Sequence, residues 1–139
     1  MSQLYELARP FPAQYVRPPA QGKYGDYVPH STVVEAMLYA VGPHDFEVLD
    51  FIYEPDGTLT GCRARLTADI DGRATSVIEV GDVEHTDRHS NGSAAKNAAS
   101  DAYKRCAMRM GKGTHLWSGS DYFLARVLRE RDGSLEVTE

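Results

Sequence analysis

LTGCRARLTADIDGRATSVIEV, residues 59–80, decides the fold. Two runs rich in residues that suit a pleated sheet meet at Asp71-Gly72, the strongest short signal for a β-hairpin. With Ile70 and Arg73 flanking the turn, Cys62, Ala64, Leu66, Ala68 and Ile70 share a face with Arg73, Thr75, Val77 and Glu79. Ile78 and Val80 then fall beside Arg63 and Arg65. Apolar residues therefore sit on both faces. Either a bulge shifts the register, or each face is partly covered.

Upstream, FEVLDFIYE (46–54) is a third strand, joined to the hairpin by the turn Pro55-Asp56-Gly57. The three strands read as an antiparallel meander. Before them a helix is expected to start from Ser31 or Thr32 as N-cap, with Glu35 completing a capping box from Thr32. Val33, Val34, Met37, Leu38 and Val41 recur at helical spacing and Gly42 stops the run. Residues 1–29 hold five of the seven prolines and are read as an extended arm. Phe11, Tyr15, Tyr24 and Tyr27 of that arm must pack on this subunit's own core or on a neighbour's surface. Residues 30–125 form the core domain in this reading, and 126–139 a short charged C-terminal segment.

Downstream, the polar stretch 81–92 is expected to be a mobile loop, and Asn91 or Ser93 to cap a long helix that ends at Gly111. On a helical wheel Ala95, Ala98, Ala99, Ala102, Cys106 and Met110 form its buried stripe, and small alanines permit close approach to a sheet. Arg105, Arg109 and Lys112 fall on one flank, with Lys104 beyond Asp101 and Met108. The segment SAAKNAASDAYKRCAMRMGKG (93–113) carries Lys96, Lys104, Arg105, Arg109 and Lys112 against Asp101 alone. It is +4 within a chain of net charge −5, so the remainder carries −9. Clustered cations in an acidic protein suit local contact with phosphates, since exposed charges beyond about 8 Å are largely screened at physiological salt. A solvated helix face with a basic last turn, favoured by the helix dipole, is the plain alternative. Arg63, Arg65 and Arg73 add either a basic sheet face or ordinary surface charge. Tyr103 and Trp117 suit core or subunit packing, with base stacking as the second reading. A turn carrying Trp117 then leads to a short helix capped by Ser120 or Asp121.

Several chemistries find no support. The acidic total argues against a generic nucleic-acid sponge. His85 and His89 with Asp87 lie in a polar loop without a paired cysteine motif, so no metal is expected. Gly111-Lys112-Gly113-Thr114 follows a helix rather than a strand, and Cys106 replaces the upstream glycine of a phosphate-binding loop. Glu79, Asp82 and Glu84 could hold magnesium in a nuclease, but no lysine completes such a site. Neither catalytic residues nor a cofactor are expected. Cys62 and Cys106, the only cysteines, read as free thiols in a reducing cytoplasm. The first residues show no apolar signal core and no run approaches a membrane span, so a cytoplasmic protein is expected.

SDAYKRCAMRMGKGTHLW resembles the signature helix of the Rad52 family of single-strand annealing proteins, in particular its short phage and bacterial members. Ser100-Asp101-Ala102, Lys104-Arg105, Gly111, Leu116 and Trp117 stand at its positions. Leu7-Ala8-Arg9-Pro10-Phe11-Pro12 with Arg17 resembles the family's N-terminal arm. Tyr27-Val28, the helix ending at Val41-Gly42 and the meander follow in the same order. The resemblance covers most of residues 7–125. It implies an α+β fold, a β-β-β-α core with the long helix packed across the sheet. It also implies assembly into rings or helical filaments, with single-stranded DNA in a positive outer groove lined by Lys104 and Arg105. Lys96, Arg109, Lys112, Arg63, Arg65 and Arg73 complete the candidate DNA-binding set. Met108 stands where some members carry a further basic residue, and a C-terminal tail of the kind that eukaryotic members use for partner proteins is not expected. The implied function is ATP-independent strand annealing in homologous recombination and DNA repair, with a host single-strand-binding protein as a candidate partner. The alternative is a module of the same fold that coats or protects DNA without annealing, and a nuclease is the remote third reading.

Overall fold

The computed structural model describes residues 2–19, 25–83 and 90–137, with side chains to residue 133. Its elements are α1 (Gln3–Ala8), α2 (His30–Val41), β1 (Asp45–Tyr53), β2 (Leu59–Ile70), β3 (Arg73–Asp82), α3 (Asn91–Arg109), α4 (His115–Ser118) and α5 (Leu124–Val137). The strands form one antiparallel sheet in the order β1-β2-β3, and α3 packs across β2 and β3. The expected α+β architecture is the one observed.

The β2–β3 hairpin runs without a break from Ile70↔Arg73 to Gly61↔Asp82. Asp71 and Gly72 both take positive φ, 51° and 80°, which is the two-residue turn whose twist matches paired strands. Cys62, Ala64, Leu66 and Ala68 are buried beneath α3, as the alternation requires. No bulge resolves the mixed pattern of this hairpin. The irregularities lie in β1, between Val48 and Asp50 and between Ile52 and Tyr53. Ile78 and Val80 stay half exposed on the outer face, beside Arg63 and Arg65.

Helix α3 comes unusually close to the sheet because β3 offers Gly81. A Cβ built there would stand 2.1 Å from the Ala98 carbonyl oxygen and 2.5 Å from the Ala102 backbone nitrogen. Ala94, Ala98 and Ala102 form the helix side of this contact, over Cys62 and Ala64. Larger side chains fill the other end. There Leu7, Phe11, Val28, Val33, Met37, Leu66, Tyr103, Cys106 and Met110 join the N-terminal segment and α2 to the same face of the sheet. The buried stripe thus includes Ala94, Tyr103 and Ala107, while Ala95 and Ala99 are only partly covered.

Helix ends differ from the sequence reading where tertiary contacts compete with local capping. Helix α2 begins at His30 behind Pro29, with no side-chain cap, so Thr32 lies inside it and the Thr32–Glu35 capping box does not form. The His30 ring meets Tyr103 edge-on at 5.2 Å, which rewards the earlier start. The α3 cap is Ser90, whose Oγ accepts from Ser93 N. Asn91 is engaged elsewhere, since its Oδ1 accepts from Leu59 N and its Nδ2 donates to the Gly57 carbonyl. Gly111 ends α3 as expected, at φ 111°. Its N–H reaches the Met108 carbonyl and that of Lys112 reaches Ala107, a Schellman closure. Helix α5 begins at Leu124 rather than at a Ser120 or Asp121 cap. Tyr122, extended at its backbone, donates its hydroxyl to the Ala8 carbonyl and delays the helix.

The arm is not wholly extended. Gln3–Ala8 is helical, capped by Ser2 Oγ and by Asp71, whose carboxylate accepts from Gln3 N at 2.7 Å and Leu4 N at 3.3 Å. Pro10 lies beyond its end, so the proline rule still holds locally. Leu7, Ala8 and Phe11 are buried in this subunit's own core, whereas Tyr15 and Tyr27 remain 42% exposed. Tyr24 falls outside the described residues, as do Glu84, His85, Asp87 and His89 of the expected loop. Residue 126, where a charged segment was expected to begin, lies within α5; Leu128 is buried and Asp132 accepts from Ser2. No helix among the described residues is long and apolar enough to cross a membrane.

Candidate nucleic-acid interface

A groove of about 990 Å³ runs along the flank of α3. Asn97, Ser100, Asp101, Lys104, Arg105 and Met108 line it from the helix. Phe11, Tyr27 and Val28 face them from the N-terminal segment, and Lys112, Gly113, Leu116 and Trp117 from the turn after α3. Asp82 and Glu54 stand near the sheet end.

Lys104 and Arg105 thus lie in one groove, with Asp101 and Met108, which the wheel set between them, also on its lining. Lys104 Nζ donates to the Val28 carbonyl at 3.5 Å and sits 5.8 Å from the centre of the Tyr27 ring. Arg105 Nε donates to Asp101 Oδ2 at 3.0 Å, and its guanidinium lies 5.4 Å from the centre of the Trp117 ring. Asp101 Oδ2 also accepts from Asp82 N at 2.9 Å, so the carboxylate that orients Arg105 is anchored to β3. A guanidinium has five N–H donors. The bond to Asp101 uses one, which leaves the terminal fork to a ligand. That fork matches the geometry of a phosphate.

The other cations part ways. Lys112 lines the groove but is 7% exposed, its Nζ donating to the Arg9 carbonyl at 3.0 Å and lying 4.8 Å from the Phe11 ring centre. Burial pushes its pKa down to about 8, against the opposing pull of Glu6 and with a smaller push from Arg9. Lys112 fastens the N-terminal segment instead of offering surface charge. Arg109, one turn beyond Arg105, does not line the groove and lies 4.0 Å from Glu79 of β3, and Lys96 is exposed outside the groove lining. Arg63 and Arg65 project from the far face of the sheet. Asp50 holds Arg63 through two bonds and Glu47 holds Arg65 at 2.9 Å, so this face is neither basic nor continuous with the groove. Arg73 stands exposed at the hairpin turn.

The groove lining carries three basic side chains and four carboxylates, those of Asp26, Glu54, Asp82 and Asp101. Any preference for anions therefore rests on the placement of Lys104 and Arg105, not on a broad positive field. Tyr103 is 4% exposed, which places it in the core. Its ring meets Phe46 edge-on, and its hydroxyl pairs with His44 Nε2 at 2.5 Å. His44 Nδ1 faces the Gly42 carbonyl at 2.8 Å and must carry the proton, so Tyr103 is the donor to Nε2. Trp117 is the reverse case, 62% exposed. Glu79 and Asp82 leave β3 on opposite faces by strand alternation, which separates the carboxylates of the nuclease reading. No cluster of metal-ligating side chains occurs among the described residues.

Sequence reasoning missed Tyr27 as a groove wall and Asp101 as the orienting group of Arg105. The four-residue spacing of Asp101 and Arg105 was a legible signal for the second. Nothing local announced the first. A family model described as Rad52/22 family double-strand break repair protein matches residues 55–128, which span the hairpin, α3 and Trp117. No curated protein matches the chain.

Proposed function

The chain belongs to the Rad52/22 family of double-strand break repair proteins, which assigns it a role in recombination and repair; on that premise we propose that it binds single-stranded DNA in the α3 groove and anneals complementary strands without ATP. The observation that carries this reading is the pairing of Lys104 with an Arg105 whose terminal fork has no hydrogen-bond partner among the described residues. Two adjacent cations on one groove can hold successive phosphates while the bases stay free to pair. Neutralised phosphates lower the repulsion between approaching strands, and base pairing supplies the driving force. Copies assembled in a ring or filament would align their grooves into one track, which also compensates for the mixed charge of a single groove.

The test is single-strand binding measured over a range of salt for the parent and for Lys104→Ala/Arg105→Ala. Alanine is a good helix former, so circular dichroism should be unchanged. If each cation neutralises one phosphate, the slope of log affinity against log salt becomes shallower by about 1.4. Annealing of complementary oligonucleotides should fall with it. A double variant that keeps the parent's fold and salt slope together refutes the groove.

A further inference from the structure

Apart from the buried Lys112, the groove's two cations, Lys104 and Arg105, are each paired with an exposed aromatic ring on the same lining. Lys104 lies over Tyr27 and Arg105 over Trp117, at centroid distances of 5.8 and 5.4 Å. Both rings line the groove, and both are substantially exposed, 42% and 62%. Exposed aromatic surface is costly without a partner, and indole is the largest apolar face available to one. The sheet's outer face offers more apolar surface at Ile78 and Val80, yet no cation–aromatic pairing accompanies it among the described residues. In the groove, each of these cations stands beside a base-sized ring. That pairing matches a nucleic-acid strand, in which each charged phosphate is followed by a flat base. A duplex cannot use it, because its bases already stack on each other.

We propose that Trp117 stacks a nucleobase of the bound strand while Arg105, held over the same indole by Asp101, contacts the adjoining phosphate. This deepens the single-strand-binding reading and rests on it. The side chains divide the work. Lys104 and Arg105 supply the salt-dependent attraction, and Trp117 supplies selectivity for unpaired strands that salt does not screen. Stacking is indifferent to base identity, because every base has a π-face. A base held only by stacking can also leave when a complement arrives.

Trp117 is the only tryptophan in the chain, so its emission reports the contact directly. The full-length protein is titrated with oligothymidylate, with an abasic oligomer of equal length and with duplex DNA. Oligothymidylate should quench Trp117, and the other two should not at equal phosphate occupancy. Trp117→Ala should weaken oligothymidylate binding about 5- to 150-fold, the range of one base–aromatic stack. Its salt slope should match the parent's, and Trp117→Phe should recover most of the affinity. Equal quenching by the abasic oligomer overturns the proposal. So does a Trp117→Ala variant that loses affinity only through a shallower salt slope, or whose mass by light scattering falls, which would place the indole against a second copy. A salt slope that responds to Lys104→Ala/Arg105→Ala beside silent Trp117 emission defeats the stacking alone. A parent that does not bind single strands defeats both.

Discussion

Gly81→Ala tests the contact on which the groove's geometry rests. The added methyl would stand 2.1 Å from the Ala98 carbonyl oxygen, 2.5 Å from Ala102 N and 2.9 Å from Ala102 Cβ. Two of these atoms are helix backbone, which cannot rotate away. Restoring ordinary separation requires α3 to lift from β3 by roughly 1 Å. A radial gap of about that size forfeits a quarter to a half of each dispersion contact it opens. Ala94, Ala98, Ala102 and Cys106 are at most 1% exposed and would all lose contact with the sheet. At about 0.8 kcal/mol per buried carbon, their partial loss amounts to about 1 kcal/mol. Overpacking strain adds about 1–3 kcal/mol. The expected destabilisation is therefore about 2–4 kcal/mol, or a fall in Tm of about 10 °C for a chain of this length. Urea unfolding followed by circular dichroism measures it. Gly92→Ala is the control, since only Ser90 Oγ comes within 4 Å of the added carbon, at 3.9 Å, and helix propensity should make that variant slightly more stable. Gly81→Ala with a midpoint equal to the parent's would refute the close approach of α3 to β3.

Two further outcomes follow from the N-terminal segment. Lys112 has a folded pKa of about 8 against an ordinary 10.5, so between these values the unfolded chain binds the extra proton and stability rises with pH. From pH ~7.5 to ~9 the parent should gain about 1 kcal/mol relative to Lys112→Met, measured by urea unfolding. Burial pushes the Cys106 thiol up to about 11 and lowers stability above pH ~9, but it does so in both proteins and cancels in the comparison. Parallel pH profiles would show that Lys112 is not desolvated. Asp71→Ala removes the carboxylate that caps α1 and places alanine at φ 51°, so it should cost about 1.5–3 kcal/mol by thermal unfolding. Asp71→Asn, which tolerates that φ and keeps one acceptor, should cost less than half as much; equal losses would remove the capping role.

The register of β2 and β3, and their boundaries apart from the end of β3, which runs on to Asp82 through residues read as loop, were legible because they rest on local chemistry. An Asp-Gly turn admits one pairing, and alternation along each strand then assigns every side chain a face. The helical spans near 31–41 and 93–110 were legible for the same reason, as were their stops at Gly42 and Gly111. The Lys104-Arg105 pair was visible as a charge cluster in an acidic chain. Tertiary structure decided which of the cations remain available. Lys112 is contiguous with the cluster in sequence, but Phe11 and the Arg9 carbonyl enclose it. Arg63 and Arg65 read as basic until β1 places Asp50 and Glu47 beside them. Helix starts moved wherever a ring contact or a long-range hydrogen bond outweighed a cap worth about 1 kcal/mol. Asn91 was drawn to Gly57 and Leu59, and His30 to Tyr103. Pattern records the period of a segment and the charge it carries. Exposure depends on which distant segment arrives to cover it, and here the arrival of residues 3–17 and 25–28 made the groove wall.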